Sequence, residues 1–264
     1  MSDIAENKTE AAADLLYAAW QAGDAIEALP AAIRPATRAE GYAVQALLER
    51  RSAAPLAGWK IAATSAAGQA HIGVDGPLAG RLLAERVLPS GASVPLGRNR
   101  MRVAEVEFAF RFGCDLPPRA APYTVEQVMA AVATLHPAIE LPDSRYADFV
   151  HAGAPQLIAD NACAHWFVLG PATAAGWRGL DLARHQVTGD ATGQPTVHGS
   201  GANVLGDPRV ALAWLVNELS GLGVVLRAGQ VVTTGTALIP IAIAPGMTVR
   251  ADLGAIGGAT VALT

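Results

Sequence analysis

Apolar positions recur along this chain at two different periods, and the change from one to the other divides it. Over residues 9–29, Leu15, Leu16, Ala19 and Trp20 fall on one stripe of a 3.6-residue helix, which Pro30 should stop. Thr37 followed by Glu40 has capping-box spacing, in which each side chain satisfies a backbone N–H left unpaired by the first helical turn. The helix it opens is predicted to run through Tyr42, Val44, Leu47 and Leu48 to about Arg51. Residues 1–54 therefore read as an N-terminal helical subdomain.

From Gly58 the period shortens to two, with frequent breaks at Gly and Pro. The clearest strand covers residues 102–112, where Val103, Glu105, Glu107 and Ala109 alternate with Ala104, Val106, Phe108 and Phe110. Further strands are predicted over 58–63, 136–141, 165–169, 186–189, 196–199, 231–235, 248–253 and 259–263, with a hairpin turn at 190–193. Two helices interrupt them. One opens at the Thr124–Gln127 capping box, and the other at Asp207-Pro208, ending near Gly221 or Gly223. Helices and strands do not alternate regularly enough for a barrel of βα units, so an α+β class is expected, with residues 55–264 forming a β-rich domain. Residues 68–80, interrupted by glycines, read as a long loop, either inert or a lid over a site.

Composition narrows the function classes. The chain has 264 residues, 52% hydrophobic and 16% charged, which suits a buried core and excludes disorder. A net charge of −4 offers no footprint for nucleic acid. Two distant cysteines, Cys114 and Cys163, make neither a disulfide scaffold nor a zinc–cysteine site. The polar start MSDIAENKTE lacks the form of an export signal, and the apolar run 237–244, broken by Pro240, is too short to span a bilayer. A cytoplasmic location with no membrane partner is the expectation.

Within this apolar frame the acids stand out. Glu105 and Glu107 lie two apart in a strand and share a face whose flanking positions are Val103 and Ala109. A solvated sheet face explains most E-x-E pairs. Here the apolar flanks leave two carboxylates repelling each other unless a cation sits between them. Glu140 lies in a similar setting after Pro137-Ala-Ile. Three carboxylates from two strands supply hard oxygen ligands, suited to Mg²⁺, Mn²⁺ or Ca²⁺ and ill suited to zinc. Lys60, between Trp59 and Ile61 in an uncharged run, either snorkels to the surface or points inward, where it could bind a substrate carboxylate or move protons. No GxSxG, P-loop, GxGxxG or HExxH motif is present, and His136 reads as structural.

Several segments, in order, resemble the 2-keto-4-pentenoate hydratase and 4-oxalocrotonate decarboxylase family of the fumarylacetoacetate hydrolase superfamily. They are Gly58-Trp-Lys-Ile-Ala-Ala-Thr-Ser65, Gly73-Val-Asp-Gly-Pro77 with Gly80, Glu105-Val-Glu107, Pro137-Ala-Ile-Glu140 with Asp143-Ser-Arg145, Asp160-Asn161, Gly201-Ala-Asn-Val-Leu-Gly-Asp-Pro208 and Ala228-Gly-Gln-Val-Val-Thr-Thr-Gly-Thr236. The resemblance implies a mixed β-sandwich roll with N-terminal helices, and one Mg²⁺ or Mn²⁺ held by Glu105, Glu107 and Glu140. It further implies that Lys60 is the active-site lysine, that Asp75 is an acid on a loop closing over the substrate, and that Gly235 and Thr236 receive the substrate's carboxylate end. The implied activity is hydration of a 2-hydroxy-2,4-dienoate to a 4-hydroxy-2-oxo acid in aromatic meta-cleavage catabolism. Decarboxylation of a 4-oxalocrotonate-type acid, acylpyruvate-type C–C hydrolysis and a non-catalytic oxo-acid-binding subunit are the alternatives. A homo-oligomer is implied, with association with a paralogous hydratase or decarboxylase as a further option. Ala62-Ala63, Gly76, Leu78-Ala79 and Cys163 depart from the commoner family pattern, and they bear on the substrate-tail pocket rather than on the metal ligands.

Overall fold

The computed structural model describes residues 3–264 apart from Ala53 and Ala175. The first helix, α1 (Asp3–Ala22), starts and stops earlier than the hydrophobic stripe predicts. Gly23 takes a left-handed conformation (φ +67°) and turns the chain away well before Pro30. The capping box of α2 (Arg38–Ala46) is formed by Thr37 and Glu40 as predicted, and the helix tightens into a 3₁₀ turn over Leu47–Arg51.

The strands make two sheets. In the first, β1 (Gly58–Ala62), β2 (Leu78–Leu82), β3 (Val87–Pro89), β5 (Val103–Phe112), β6 (Val132–Leu141), β7 (Trp166–Leu169) and β10 (Val231–Thr236) lie in the order β2-β1-β10-β5-β6-β7-β3, and β11 (Ile241–Ala242) also pairs with β5. The second contains β4 (Ser93–Val94), β8 (Gln186–Ala191), β9 (Val197–Ser200), β12 (Thr248–Asp252) and β13 (Gly258–Leu263), in the order β4-β13-β12-β8-β9. Val106, Phe108 and Ile139 from the first sheet share one core with Val187, Val249 and Val261 from the second. That packing accounts for the apolar alternate positions of β5, each fully buried aromatic removing roughly 1.5–3 kcal/mol worth of apolar surface from water. Helices α4 (Val125–Ala131) and α6 (Pro208–Gly221), both opened by the predicted caps, contribute Val128, Leu212 and Leu215 to the same core. The outcome is the expected α+β arrangement. No helix among the described residues is long and apolar enough to cross a membrane.

Two predicted features change, and a short helix appears that the pattern does not show. Residues 68–80 are not a long loop: Ser65 caps α3 (Ala66–His71) by accepting from Gly68 N, and Leu78–Leu82 pairs antiparallel with β1. All five β2 residues are buried, so the strand has no polar alternation to reveal it. The hairpin turn falls later than 190–193, because Asp190 and Ala191 stay in β8 to pair with Arg250 and Val249. The short helix α5 (Ala154–Ala159) was not predicted, having too few turns to show a period.

The N-terminal helices dock tightly on the sheet. Tyr42 Oη accepts from Ala79 N, while Gln45 Nε2 donates to Ala79 O at 2.8 Å and Ile158 O at 2.9 Å. This contact holds α2 against both β2, the neighbour of β1, and α5. His136, predicted to be structural, is buried with Nδ1 2.9 Å from Gly170 O.

Candidate active site

Strand register builds the site. In the antiparallel pairing of β5 with β6, Glu105 stands opposite Glu140 and Glu107 opposite Ala138, so the three glutamates project from one face. On the other side of β5, β10 places Thr233 opposite Ala109, and β1 places Lys60 level with Thr233. Lys60 therefore leans to the same face. One carboxylate oxygen from each of Glu105, Glu107 and Glu140 lies within 4.8 Å of the others, the one such acid, His or Cys triad among the described residues.

Each member is held differently. Glu107 is fully buried, and its Oε2 accepts from Gly235 N at 2.8 Å and from Thr233 Oγ1. Lys60 is buried too, donating from Nζ to Ala162 O at 2.9 Å and standing 3.0 Å from Glu140 Oε1. The contact with Glu140 is an ion pair without hydrogen-bond alignment. Glu105 is half-buried and opens onto a cavity of about 530 Å³.

The Ala162 carbonyl occupies unusual backbone. Asn161, Ala162 and Cys163 are consecutive residues at φ +57°, +49° and +61°, a conformation that disfavours residues with a Cβ. Side-chain bonds hold the run in place. Asn161 brackets the Arg81 backbone, accepting from its N at 2.6 Å and donating to its O at 2.9 Å. Asp160 accepts from Ser144 Oγ, Arg145 N and the Arg145 guanidinium. Asp160-Asn161 stands out in the sequence only as a family segment, since nothing local says that the next carbonyl meets a lysine a hundred residues upstream.

Burial dominates the electrostatics. It raises the carboxyl of Glu105 against the lowering effect of Lys60. Burial, then the charges of Glu140 and Glu105, push Glu107 well above the usual carboxylate range. Burial also lifts Glu140 to about 7 although Lys60 opposes it. For Lys60, burial disfavours the charged form, yet the surrounding acids, Glu140 first, outweigh it and raise the amine to about 12. One ammonium thus faces three acids. Glu107 Oε1 and both Glu140 oxygens are buried with no hydrogen-bond partner, which in a native interior calls for a cation or a proton. Carboxylate oxygens alone, with no Cys or His among them, fit a hard divalent cation.

The remaining predicted residues fall in two places. Gly235 and Thr236 line the cavity. Gly235 has φ +90°, and a Cβ there would lie 2.1 Å from Thr64 Oγ1, so glycine is required. Its N–H is already engaged by Glu107, while Thr236 Oγ1 donates to Leu238 O at 2.7 Å. Asp75 is not brought to the cluster. Its side chain is 92% exposed in the α3–β2 connection, 4.0 Å from Arg38. A larger open cleft of about 810 Å³ lies at the opposite end of the strands, around Arg111 and Gln230, and contains none of the predicted site residues.

The chain as a whole is similar to known proteins. Residues 78–263 match the family model described as fumarylacetoacetate (FAA) hydrolase C-terminal. A 2-keto-4-pentenoate hydratase of Paraburkholderia xenovorans is 32% identical over 251 residues, covering 94% of this chain and 92% of the relative. A 4-oxalocrotonate decarboxylase of a Pseudomonas species is 32% identical over 219 residues, 81% of each chain. Among solved structures, a 4-oxalocrotonate decarboxylase from Pseudomonas putida G7, complexed with magnesium and adipate, superposes with a TM-score of 0.88 at 26% identity over 98% of both chains.

Proposed function

Because the chain belongs to the fumarylacetoacetate hydrolase family, we propose that it is a divalent-metal-dependent hydro-lyase that adds water to a 2-hydroxy-2,4-dienoate, yielding a 4-hydroxy-2-oxo acid. The observation that carries this reading is the Glu105–Glu107–Glu140 triad beside Lys60, in which Glu107 Oε1 and both Glu140 oxygens are buried without a hydrogen-bond partner, while Glu105 and Lys60 form the polar end of an otherwise apolar cavity. By sequence, the hydratase relative matches 94% of the chain and the decarboxylase 81%, which favours hydration.

Glu105, Glu107 and Glu140 would hold Mg²⁺ or Mn²⁺, which supplies Lewis acidity toward an oxo-acid's carboxylate–carbonyl end. The chain's own groups do the rest. Gly235 and Thr236 border the end of the cavity where that carboxylate would be received. The Gly235 amide and the Thr233 hydroxyl keep Glu107 turned toward the triad. Lys60, an ammonium at neutral pH, offers positive charge and a proton where enolate charge develops as water adds at C4. The apolar walls lower the local dielectric and strengthen that interaction. Asp75 would orient the water only after residues 72–77 swing over the cavity from their present place against Arg38. Assembly into a homo-oligomer, alone or with a paralogous enzyme, belongs to the same proposal and is read from the native mass.

Decarboxylation is the second reading, favoured by the near full-length superposition on the solved decarboxylase. It uses the same electron sink with CO₂ leaving instead of water arriving. Incubation of Mg²⁺- or Mn²⁺-loaded protein with 2-hydroxypenta-2,4-dienoate and with 4-oxalocrotonate, following dienol absorbance and CO₂ release, separates the two. Turnover of neither substrate removes both and leaves C–C hydrolysis or a binding role.

A further inference from the structure

The 530 Å³ cavity extends well beyond Glu105 and Lys60, and most of the residues that line its extension are apolar. Away from Lys60 and Glu105 its walls are built by Ile72, Met101, Phe149, Leu157, Leu238 and Ile239. Lys60 is the only lysine or arginine among the lining residues, and it is already engaged by Glu140 and Ala162 O. Polar groups on the wall are largely occupied: Ser65 Oγ accepts from Gly68 N, Thr236 Oγ1 donates to Leu238 O, and Asn203 Nδ2 donates to Ala237 O. His71 is exposed, with its ring edge-on to Phe149. The Arg38 guanidinium, against the α3–β2 connection, is engaged by Pro77 O, Glu218 and Asp75.

We infer that this part of the cavity is a substrate-tail subsite that takes an apolar substituent on the terminal diene carbon and rejects a second carboxylate. The inference rests on the oxo-acid reading of the triad and deepens it by naming the tail, and it weighs against 4-oxalocrotonate, a dicarboxylate, as the substrate. A cavity of this size ordinarily houses ligands much bulkier than an unsubstituted pentadienoate, so an unsubstituted substrate leaves apolar wall uncovered. Each added methylene then gains by burial. A terminal carboxylate would lose its water with no cation to replace it, which is far more costly than the burial of carbon is favourable.

The test separates binding from chemistry. Competition or calorimetric titration in Mg²⁺ compares 2-oxobutanoate, 2-oxohexanoate and 2-oxooctanoate with 2-oxoadipate, alongside kcat/KM for 2-hydroxypenta-2,4-dienoate, its 5-alkyl homologues and 2-hydroxymuconate. Affinity and kcat/KM should climb about fourfold per methylene over the first few carbons, and the diacids should fall at least ~100-fold below the monoacids of matched length. Ile72→Arg, at a half-buried wall position, should recover at least ~10-fold in 2-oxoadipate affinity and weaken 2-oxooctanoate, with little change in melting temperature. A flat chain-length profile, or diacid binding equal to that of the monoacids, overturns the subsite even if pentadienoate is hydrated. The expected binding profile with no hydration of any dienoate upholds the subsite and removes the hydratase reading.

Discussion

Lys60 and Glu140 meet across two strands that are not neighbours: their side chains, both buried, stand 3.0 Å apart although β10 and β5 lie between β1 and β6. The pair is the hinge of the site's electrostatics, since Lys60 is the one cation facing three acids. Removing it should expose that dependence. Lys60→Met keeps the buried volume but leaves Glu140 without its counter-charge. Unfolding of the metal-free variant in urea should show a loss of about 3 kcal/mol or more at pH 8 and much less at pH 5, where Glu140 takes up a proton. Turnover should fall at least ~100-fold. Wild-type stability at both pH values would mean that the ammonium does not compensate the acids.

The pH dependence of the metal-free protein has a definite sign. Glu140 rises from 4.5 to about 7 on folding and Glu107 rises well above 4.5, both chiefly through burial. An acid raised in this way holds its proton in the folded state over a range where the unfolded chain has lost it. Stability therefore declines as pH climbs from about 4.5 to about 7. Lys60, raised from 10.5 to about 12 by its acid neighbours, adds stability that is lost as pH climbs from about 10.5 through about 12. Mg²⁺ binds the deprotonated acids, so the melting-temperature gain on adding Mg²⁺ should grow from pH 5 to pH 8. Differential scanning calorimetry with and without Mg²⁺ measures this; a gain independent of pH would contradict it.

Glu107→Gln keeps an acceptor for Gly235 N and Thr233 Oγ1 while deleting one of three mutually repelling charges. Metal-free protein should melt no lower than wild type, and higher above pH 7. Mg²⁺ affinity by calorimetry should drop at least ~10-fold. Unchanged affinity would remove Glu107 from the ligand set.

Gly235→Ala forces a Cβ to within 2.1 Å of Thr64 Oγ1 at a φ of +90°. Relieving that clash shifts the amide that holds Glu107. Stability should fall by about 1–3 kcal/mol, and Mg²⁺ affinity should fall with it. Loss of stability at full metal affinity would show that the turn and the triad are not linked.

Asp75→Asn tests the loop acid. Because the carboxylate is exposed and only 4.0 Å from one arginine, the melting temperature should not move. A role in orienting water predicts a kcat loss of about 100-fold at similar KM. Full kcat would exclude Asp75 from the chemistry.

Local rules read much of this protein from its residues. Caps at Thr37, Thr124 and Asp207 marked where helices open because the capping bond is made within three residues. Period-two alternation put Glu105 and Glu107 on one face because side chains in a strand alternate whatever their surroundings. Two acids on an apolar strip already implied a cation, and the family motifs brought Lys60 and Glu140 to the same place. What lay beyond that depended on pairing between distant segments. Whether Lys60 pointed in or out was settled by its register with Thr233 and by the Ala162 carbonyl. The buried strand β2 carried no alternation to reveal it, because both its faces are covered. The occupation of the Gly235 N–H by Glu107, and the outward position of Asp75, likewise came from contacts across the fold. A chain's own pattern determines which way a side chain faces along its element; which partner it meets is decided by strand register and by burial, and those are properties of the packed whole.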